Sequence, residues 1–511
     1  MYKYSFSEIV SGMGIVSLFT RKLRGIIVLA CLIALAFPSF ASDGYSIKVR
    51  FNNLHDTTLI LGHHFSTSIY PDDTLRLNKK GVGYFEGKTK LPKGLYVIFV
   101  PSKGNYFDII IDDDQNFSLR TDTSNYQKFM KVRSSSVNKA FFAYQVYLAD
   151  QRDKVTALND KKKKSTGTQT DSINKAIEKI DKEVKTYVEK LVKKHNDDFL
   201  GLFLISMKEV DVPEAPKDAS GKITDSLFQY RYYRTHYFDN FNLSNPDLMR
   251  TPFYDTKLTT YLDKVVPQHP DSISPEIDKI ISKSRTSPEL FRFVLVTLLN
   301  HYIKSQIMGM DAVTIYIADK YYIPEGTWSD STFLNNLKKQ VRVTKPLLIG
   351  KPAPDIRLVQ VPDEHFIAAQ TDTTLKRNVY VGNFFNLRQT SADFTVICFW
   401  EADCSHCKKA VPELYEVYKK LKEKNINVQF ISVNLLFGEE GKVKWINFVN
   451  SHKLYGWINA WNPYDYSFKE IYDVTSTPVI MLFDSKMNIA AKRVGPEQIE
   501  EIIEVLSKQK K

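Results

Sequence analysis

A chain of 511 residues is too long for one ordinary core, and at roughly 150 residues per domain it implies about three. Its 43% hydrophobic and 25% charged residues, with 28 Tyr and 32 Phe, exclude a mainly disordered protein. A net charge of +12 is modest for this length, and the densest basic run, 161–164, lies in a polar stretch without aromatic partners, so nucleic acid is not an expected ligand.

At the N-terminus, Arg21, Lys22 and Arg24 precede the apolar run 25–38, and Ser39-Phe40-Ala41 has the small-x-small form of a cleavage site. Residues 1–41 therefore read as an export signal, the mature chain beginning near Ser42 and Met13 offering an alternative start. The apolar run is cut at Pro38 and is shorter than the roughly 20 residues a spanning helix needs. Val28-Leu29-Ala30-Cys31 loosely matches a lipid-attachment box, but cleavage there would leave 32–37 as an apolar stub, so Cys31 reads as one more residue of the signal. Processing would lower the charge to +9 and leave Cys398, Cys404 and Cys407, all within ten positions. Three clustered cysteines in an exported protein of this size are not a disulfide scaffold.

Residues 42–125 alternate short apolar segments with turn formers. Candidate strands are 46–51, 58–61, 95–100 and 107–111, separated by Pro71-Asp72-Asp73, Lys80-Gly81 and Asp112-Asp113-Asp114, the pattern of a small antiparallel β domain. Over 126–346 the period changes: Ile173, Ile177, Ile180, Val184, Tyr187, Val188 and Leu191 form a helical stripe. Breaks at 213–216, 267–270 and Pro324 divide this helical middle domain, and 161–164 reads as a solvated loop. The aromatic stretch 230–238 reads as core or interdomain packing rather than a stacking groove.

From 347 to 511 strands and helices alternate. Strands are expected at 395–400, 428–433, 456–461, 479–483 and 489–494, with helices at 407–421, 442–451 and 496–507, a partly parallel sheet with covering helices. The fold class is multidomain: a small antiparallel β domain, a helical middle domain and a C-terminal α/β domain.

Cys404-Ser405-His406-Cys407 falls where the strand ending at Trp400 turns into a helix. Unpaired N–H groups and the positive end of the helix dipole stabilise an anion there, so Cys404 is the expected nucleophile and Cys407, one turn in, the resolving thiol. An imidazole at His406 favours the Cys404 thiolate further. Thiolate stabilisation makes a dithiol less reducing, so a potential above the roughly −270 mV of thioredoxin is expected.

The segment from Phe399 to Lys409 resembles the active site of the thioredoxin-like TlpA/ResA family of thiol-disulfide oxidoreductases. Pro412 matches the proline that kinks the active-site helix, Thr477-Pro478 the cis-proline loop facing the dithiol, and Ile349-Gly350-Lys351-Pro352-Ala353-Pro354-Asp355 the entry segment. The likeness covers 347–511, about a third of the chain. It implies a thioredoxin-like fold with an inserted strand and helix, and the reduction or isomerisation of protein disulfides. Cys404, Cys407, His406 and Pro478 would act in the reaction, and Thr477 and Trp400 would hold substrate. The implied partners are client proteins with disulfides and a membrane or periplasmic thiol electron donor, and the implied location is the periplasm or cell envelope. No cofactor and no metal is implied. Cys404, His406 and Cys407 do not converge as three ligands from one turn.

Two departures stand out. The carboxylate many relatives carry three residues after the second cysteine is Ala410 here, and the buried acid of thioredoxin, six residues before the first cysteine, is Cys398. Glu401 and Asp403 are the remaining candidate proton acceptors, or else helix caps or solvent-facing groups, and Cys398 reads as an inert buried thiol. The preceding regions resemble β-plus-helical extensions of exported proteins in some Gram-negative bacteria, with docking of substrate, homodimer formation or envelope attachment as roles. A non-catalytic binding or assembly protein that uses the thioredoxin fold for docking is the competing reading.

Overall fold

A computed structural model describes residues 44–378, 380 and 382–509. The expected export signal and Cys31 lie outside the described residues.

The β region holds β1 (Tyr45–Phe51), β2 (Thr58–Phe65), β3 (Ser68–Arg76), β4 (Val82–Gly87), β5 (Gly94–Val100), β6 (Asn105–Ile111), β7 (Asn116–Thr121) and β8 (Lys131–Arg133). They build two four-stranded sheets, ordered β4-β1-β7-β8 and β3-β2-β5-β6. Period-two alternation sends Ile47, Val49 and Phe51 inward from β1 and Lys48 and Arg50 outward, and Leu59, Leu61, Ile98 and Ile109 share the core they enter.

Three details depart from the sequence reading. The region is not wholly antiparallel, because β1 and β7 run parallel: five strands lie between them, which is the long crossover a parallel pair requires. Pro71-Asp72-Asp73 is not a turn but the middle of β3. There the register shifts, so that Leu61 faces Asp73 while Gly62 faces Pro71, and Asp72 is the extra residue of a bulge. An edge strand tolerates both, since an edge proline withholds no ladder donor. Pairing also continues to Arg133, past the expected boundary at 125. The opposite edge, β6, is met by Asn138, whose amide donates to the Ile110 carbonyl at 2.7 Å and accepts from its N–H at 2.9 Å.

The helical region runs through α1 (Ser136–Lys162), α2 (Thr168–Lys194), α3 (Phe199–Ser206), α4 (Phe228–His236), α5 (Tyr254–Thr260), α6 (Pro270–Ser284), α7 (Pro288–Ile303), α8 (Asp311–Ile317), α9 (Ile323–Glu325) and α10 (Ser331–Thr344). The α2 stripe faces α1, and Tyr147 and Tyr187 lie 4.1 Å apart between ring centroids. Lys161 and Lys162, expected in a loop, close the last turn of α1, where a cation complements the dipole. The break expected at Pro324 falls one residue later, since the helix ends at Glu325 and α10 begins at Ser331. A π-turn over Ala318–Tyr322 precedes the proline, loosening the i→i−4 ladder that a proline cannot join. Within the aromatic stretch Tyr237 is buried, and Tyr233 and Phe238 pack on the main helical core around Ile277, Val294 and Leu298.

The C-terminal region forms a seven-stranded sheet ordered β10-β9-β13-β12-β11-β14-β15. Its strands are β9 (Arg357–Val361), β10 (Phe384–Asn386), β11 (Phe394–Trp400), β12 (Val428–Asn434), β13 (Ile458–Trp461), β14 (Val479–Asp484) and β15 (Ile489–Lys492). Helices α11 (Asp363–Ala368), α12 (Ser405–Glu423), α13 (Gly438–His452), α14 (Ser467–Ile471) and α15 (Pro496–Gln509) accompany them. β11, β12 and β13 are parallel, and β14 is antiparallel to β11. All seven residues of β11 are buried, as a central strand covered on both faces requires. The antiparallel pair β9 and β10 was not anticipated: β10 is three residues long and carries no period.

Two contacts tie this region to the helices before it. Lys492 donates to the Leu347 carbonyl at 2.6 Å and pairs with Asp311 of α8, and Arg342 of α10 meets Glu470 of α14 at 3.1 Å.

Candidate active site

β11 ends at Trp400, and a tight turn delivers Cys404 to the N-cap of α12 with extended backbone (φ −69°, ψ 125°). From that position the Cys404 sulfur accepts the Cys407 N–H at 3.4 Å, satisfying one of the free donors of the first turn. The Cys404 thiol in turn donates to the carbonyl of Thr477 at 3.4 Å. Thr477 opens the way into β14 through a cis peptide bond to Pro478. Cys404, Thr477 and Pro478 are half-buried, whereas Cys407 is 0% exposed, so one sulfur is open to a partner and the other lies behind it. Pro412 sits inside α12.

The two thiols are driven apart electrostatically. Partial burial opposes ionisation of Cys404, but hydrogen bonds from Thr477, from the Cys407 thiol and from the Cys407 and His406 backbone N–H groups outweigh it and lower its pKa. Burial, then the hydrogen bond with Cys404, pushes Cys407 up to about 12. One sulfur is favoured as thiolate and its neighbour as thiol, the division of labour a nucleophile and a resolving group need.

The remaining expected residues are placed less simply. His406 is exposed, and what it offers Cys404 is its backbone N–H rather than its imidazole. Trp400, expected to hold substrate, is corrected: it is 0% exposed, its indole N–H donates to Ser432 Oγ at 2.7 Å and its ring packs on Phe448. A side chain at the last position of a central strand points into the core, where no client reaches it. Neither Glu401 nor Asp403 caps the helix, because Cys404 is itself the N-cap residue. Glu401 is paired with Lys469 at 3.7 Å and Asp403 with Lys444 at 3.4 Å. Cys398 is buried in β11, and burial, followed by the charge of Cys407, raises its pKa well above the usual thiol range.

Sequence reasoning missed an exposed aromatic pair linked through Lys469 to Glu401 of the turn before the dithiol. Phe437, just past β12, is exposed and meets the exposed Tyr466 at 3.8 Å between ring centroids, and Lys469 lies 4.8 Å over the Phe437 ring while pairing with Glu401. An apolar residue next to a buried strand carries no sequence signal that separates exposure from core. Among the described residues no cluster of three or more His, Cys, Asp or Glu has the arrangement of a metal site.

A thioredoxin-like family model matches residues 392–489, and a model for a domain of unknown function, DUF5106, matches 155–344, the helical middle. No curated protein matches the chain. Among solved structures, a domain of a possible thiol-disulfide isomerase from Cytophaga hutchinsonii is 29% identical, covering 32% of this chain and 96% of its own, with a TM-score of 0.26. A thioredoxin-like protein from Bacteroides caccae is 16% identical over 58% of this chain and 99% of its own, at a TM-score of 0.41. The thioredoxin domain of a thiol-disulfide oxidoreductase from Bacteroides vulgatus is 23% identical over 31% and 96%, at 0.24. Residues 392–489 of this chain are a thioredoxin-like domain, reached through a helical region that matches DUF5106.

Proposed function

We propose that the chain is an exported thiol-disulfide oxidoreductase of the TlpA/ResA type, acting on disulfides of client proteins in the periplasm or cell envelope. The observation that carries this reading is the half-buried Cys404 sulfur at the tip of α12, held against the Thr477 carbonyl with Cys407 buried behind it. The Cys404 thiolate attacks one sulfur of a client disulfide, forming a mixed disulfide and expelling the other client sulfur as thiolate. Cys407 then loses its proton and attacks the Cys404 sulfur, closing the internal disulfide and releasing the client reduced by two electrons. A membrane or periplasmic dithiol of the electron-donor class returns those electrons. When the client leaves through its own second thiol instead, the outcome is isomerisation. The Thr477 backbone, next to the Cys404 sulfur, lies where an extended client segment would pair.

The test is a Cys407→Ala variant, in which resolution is blocked and mixed disulfides with clients accumulate on Cys404. A folded variant that traps no client in the exporting cell overturns the reading. The pairing of Glu401 and Asp403 with lysines favours a second reading, a binding or assembly protein that docks through this fold, since both candidate proton acceptors for Cys407 are engaged. Cys404→Ser separates the two: the enzyme loses its cellular function, and the docking protein keeps it.

A further inference from the structure

Away from the dithiol, the core beneath α11 and α13 holds polar groups that the oxidoreductase reading does not use. Lys442, on the first turns of α13, is 1% exposed, and its ammonium has neither a hydrogen-bond acceptor nor a carboxylate partner among the described residues. Its nitrogen lies 5.7 Å from the centroid of the Trp461 ring. Trp445, one turn along the same helix, stands 5.7 Å from Trp461 between ring centroids, and both indole N–H groups are buried without acceptors. Phe366 closes on Trp445 at 5.2 Å, and the neighbouring His365 presents an Nε2 that is likewise buried and unpartnered.

Unsatisfied buried polar atoms are rare in folded proteins, and three donor-only side chains in one contact-linked cluster are rarer. Indole N–H and ammonium groups cannot satisfy one another. A lone ammonium is costly to bury unless a negative charge joins it. Among the described residues no carboxylate pairs with Lys442, and the two acids that precede it on α13 are engaged elsewhere, Glu439 with Arg377 and Glu440 with Lys444. An anion from outside the chain would balance Lys442 and accept the hydrogen bonds that it and the two indoles leave unmade. The ammonium beside Trp461 and the two indole N–H groups, all donors, favour a negative ligand. His365 Nε2 takes either role by tautomer.

We propose that Lys442, Trp445 and Trp461 form an internal site for a small monovalent anion, a halide or a carboxylate, that stabilises the C-terminal domain. Burial lowers the Lys442 pKa to about 8, so the ammonium is still the main form at neutral pH, and an anion beside it favours that form further. The site is independent of the dithiol reaction and stands whether or not Cys404 is an enzyme nucleophile.

The full reduced chain is melted at pH 7 in sodium gluconate, an anion too bulky for the site, while chloride or formate replaces gluconate at constant ionic strength. The expected result is a Tm that climbs with the logarithm of the small anion, by about 3 °C or more at saturation, and a Lys442→Met variant that folds but does not respond. A response to both anions assigns a general small-anion site, a response to chloride alone a halide site, and a response to formate alone a carboxylate site. A flat wild-type curve, or an equal response in Lys442→Met, overturns the proposal. Should that variant fail to fold, the indole N–H resonances of the wild-type chain, which has 5 Trp, are assigned with Trp445→Phe and Trp461→Phe. Those two signals shift on titration if the site binds, and their constancy overturns it.

Discussion

The Cys404 thiol and the Thr477 carbonyl, 73 residues apart in the chain, meet at 3.4 Å. That contact joins the tip of α12 to the entrance of β14, so the proposed nucleophile and the backbone expected to hold a client form one unit. The antiparallel pairing of β11 with β14, which ends at Phe399 and Val479, sets the spacing between them.

The lowered pKa of Cys404 has a definite sign in kinetics. Only the thiolate is alkylated, so the rate falls as pH drops through the Cys404 pKa, and a lowered value moves that fall to lower pH than for a free thiol. Iodoacetamide trapping followed by peptide mapping should show Cys404 half-reactive at a lower pH than an unperturbed cysteine, with Cys407 unmodified at neutral pH. Thr477→Val keeps the backbone carbonyl but removes the side-chain hydroxyl that favours the thiolate, and should move the alkylation profile to higher pH. An unchanged profile in Thr477→Val would show that the hydroxyl contributes nothing to the thiolate.

His406→Ala should change the same rate by less than about twofold, because the imidazole is exposed and its charge is screened by solvent. The sequence suggests the opposite, since a histidine between two cysteines is well placed for its charge to matter. A drop of tenfold or more would restore the imidazole to the site.

Resolution should be the pH-sensitive step. Cys407 is pushed up to about 12, chiefly by burial, and both nearby carboxylates are engaged by lysines. Release of glutathione from a Cys404 mixed disulfide should therefore accelerate close to tenfold per pH unit between about 7 and 9, since the reactive fraction of Cys407 grows in that proportion. A rate that levels off near neutrality would reveal a proton acceptor within the fold. The dithiol potential, measured against glutathione, should lie above about −270 mV.

The parts of this architecture legible in the sequence are those whose periodicity or chemistry is local. β11 reads as an unbroken apolar run because both its faces are buried, and α12 announces itself through the dithiol at its first turn. What escapes is whatever depends on a distant neighbour. Pro71 suggests a turn until the edge position of β3 is known, and β10 is too short for any period. The indole of Trp400 suits a binding surface as well as a core, and only Ser432, across the sheet on β12, decides between them. Only family resemblance singles out Thr477, since nothing in the spacing places it beside Cys404.

The last prediction concerns that buried indole. Trp400→Phe keeps an aromatic ring against Phe448 but leaves the Ser432 hydroxyl without its 2.7 Å partner in a fully buried place. An unsatisfied buried hydroxyl and the smaller ring together should cost about 2–3 kcal/mol, read as a lower urea midpoint with an unchanged slope. Alkylation of Cys404 should stay within about twofold of wild type, because the buried Trp400 supports the strand that carries the turn. If client trapping by Trp400→Phe/Cys407→Ala collapses while stability is unaltered, the ring belongs to the binding surface after all, and the core role assigned to it fails.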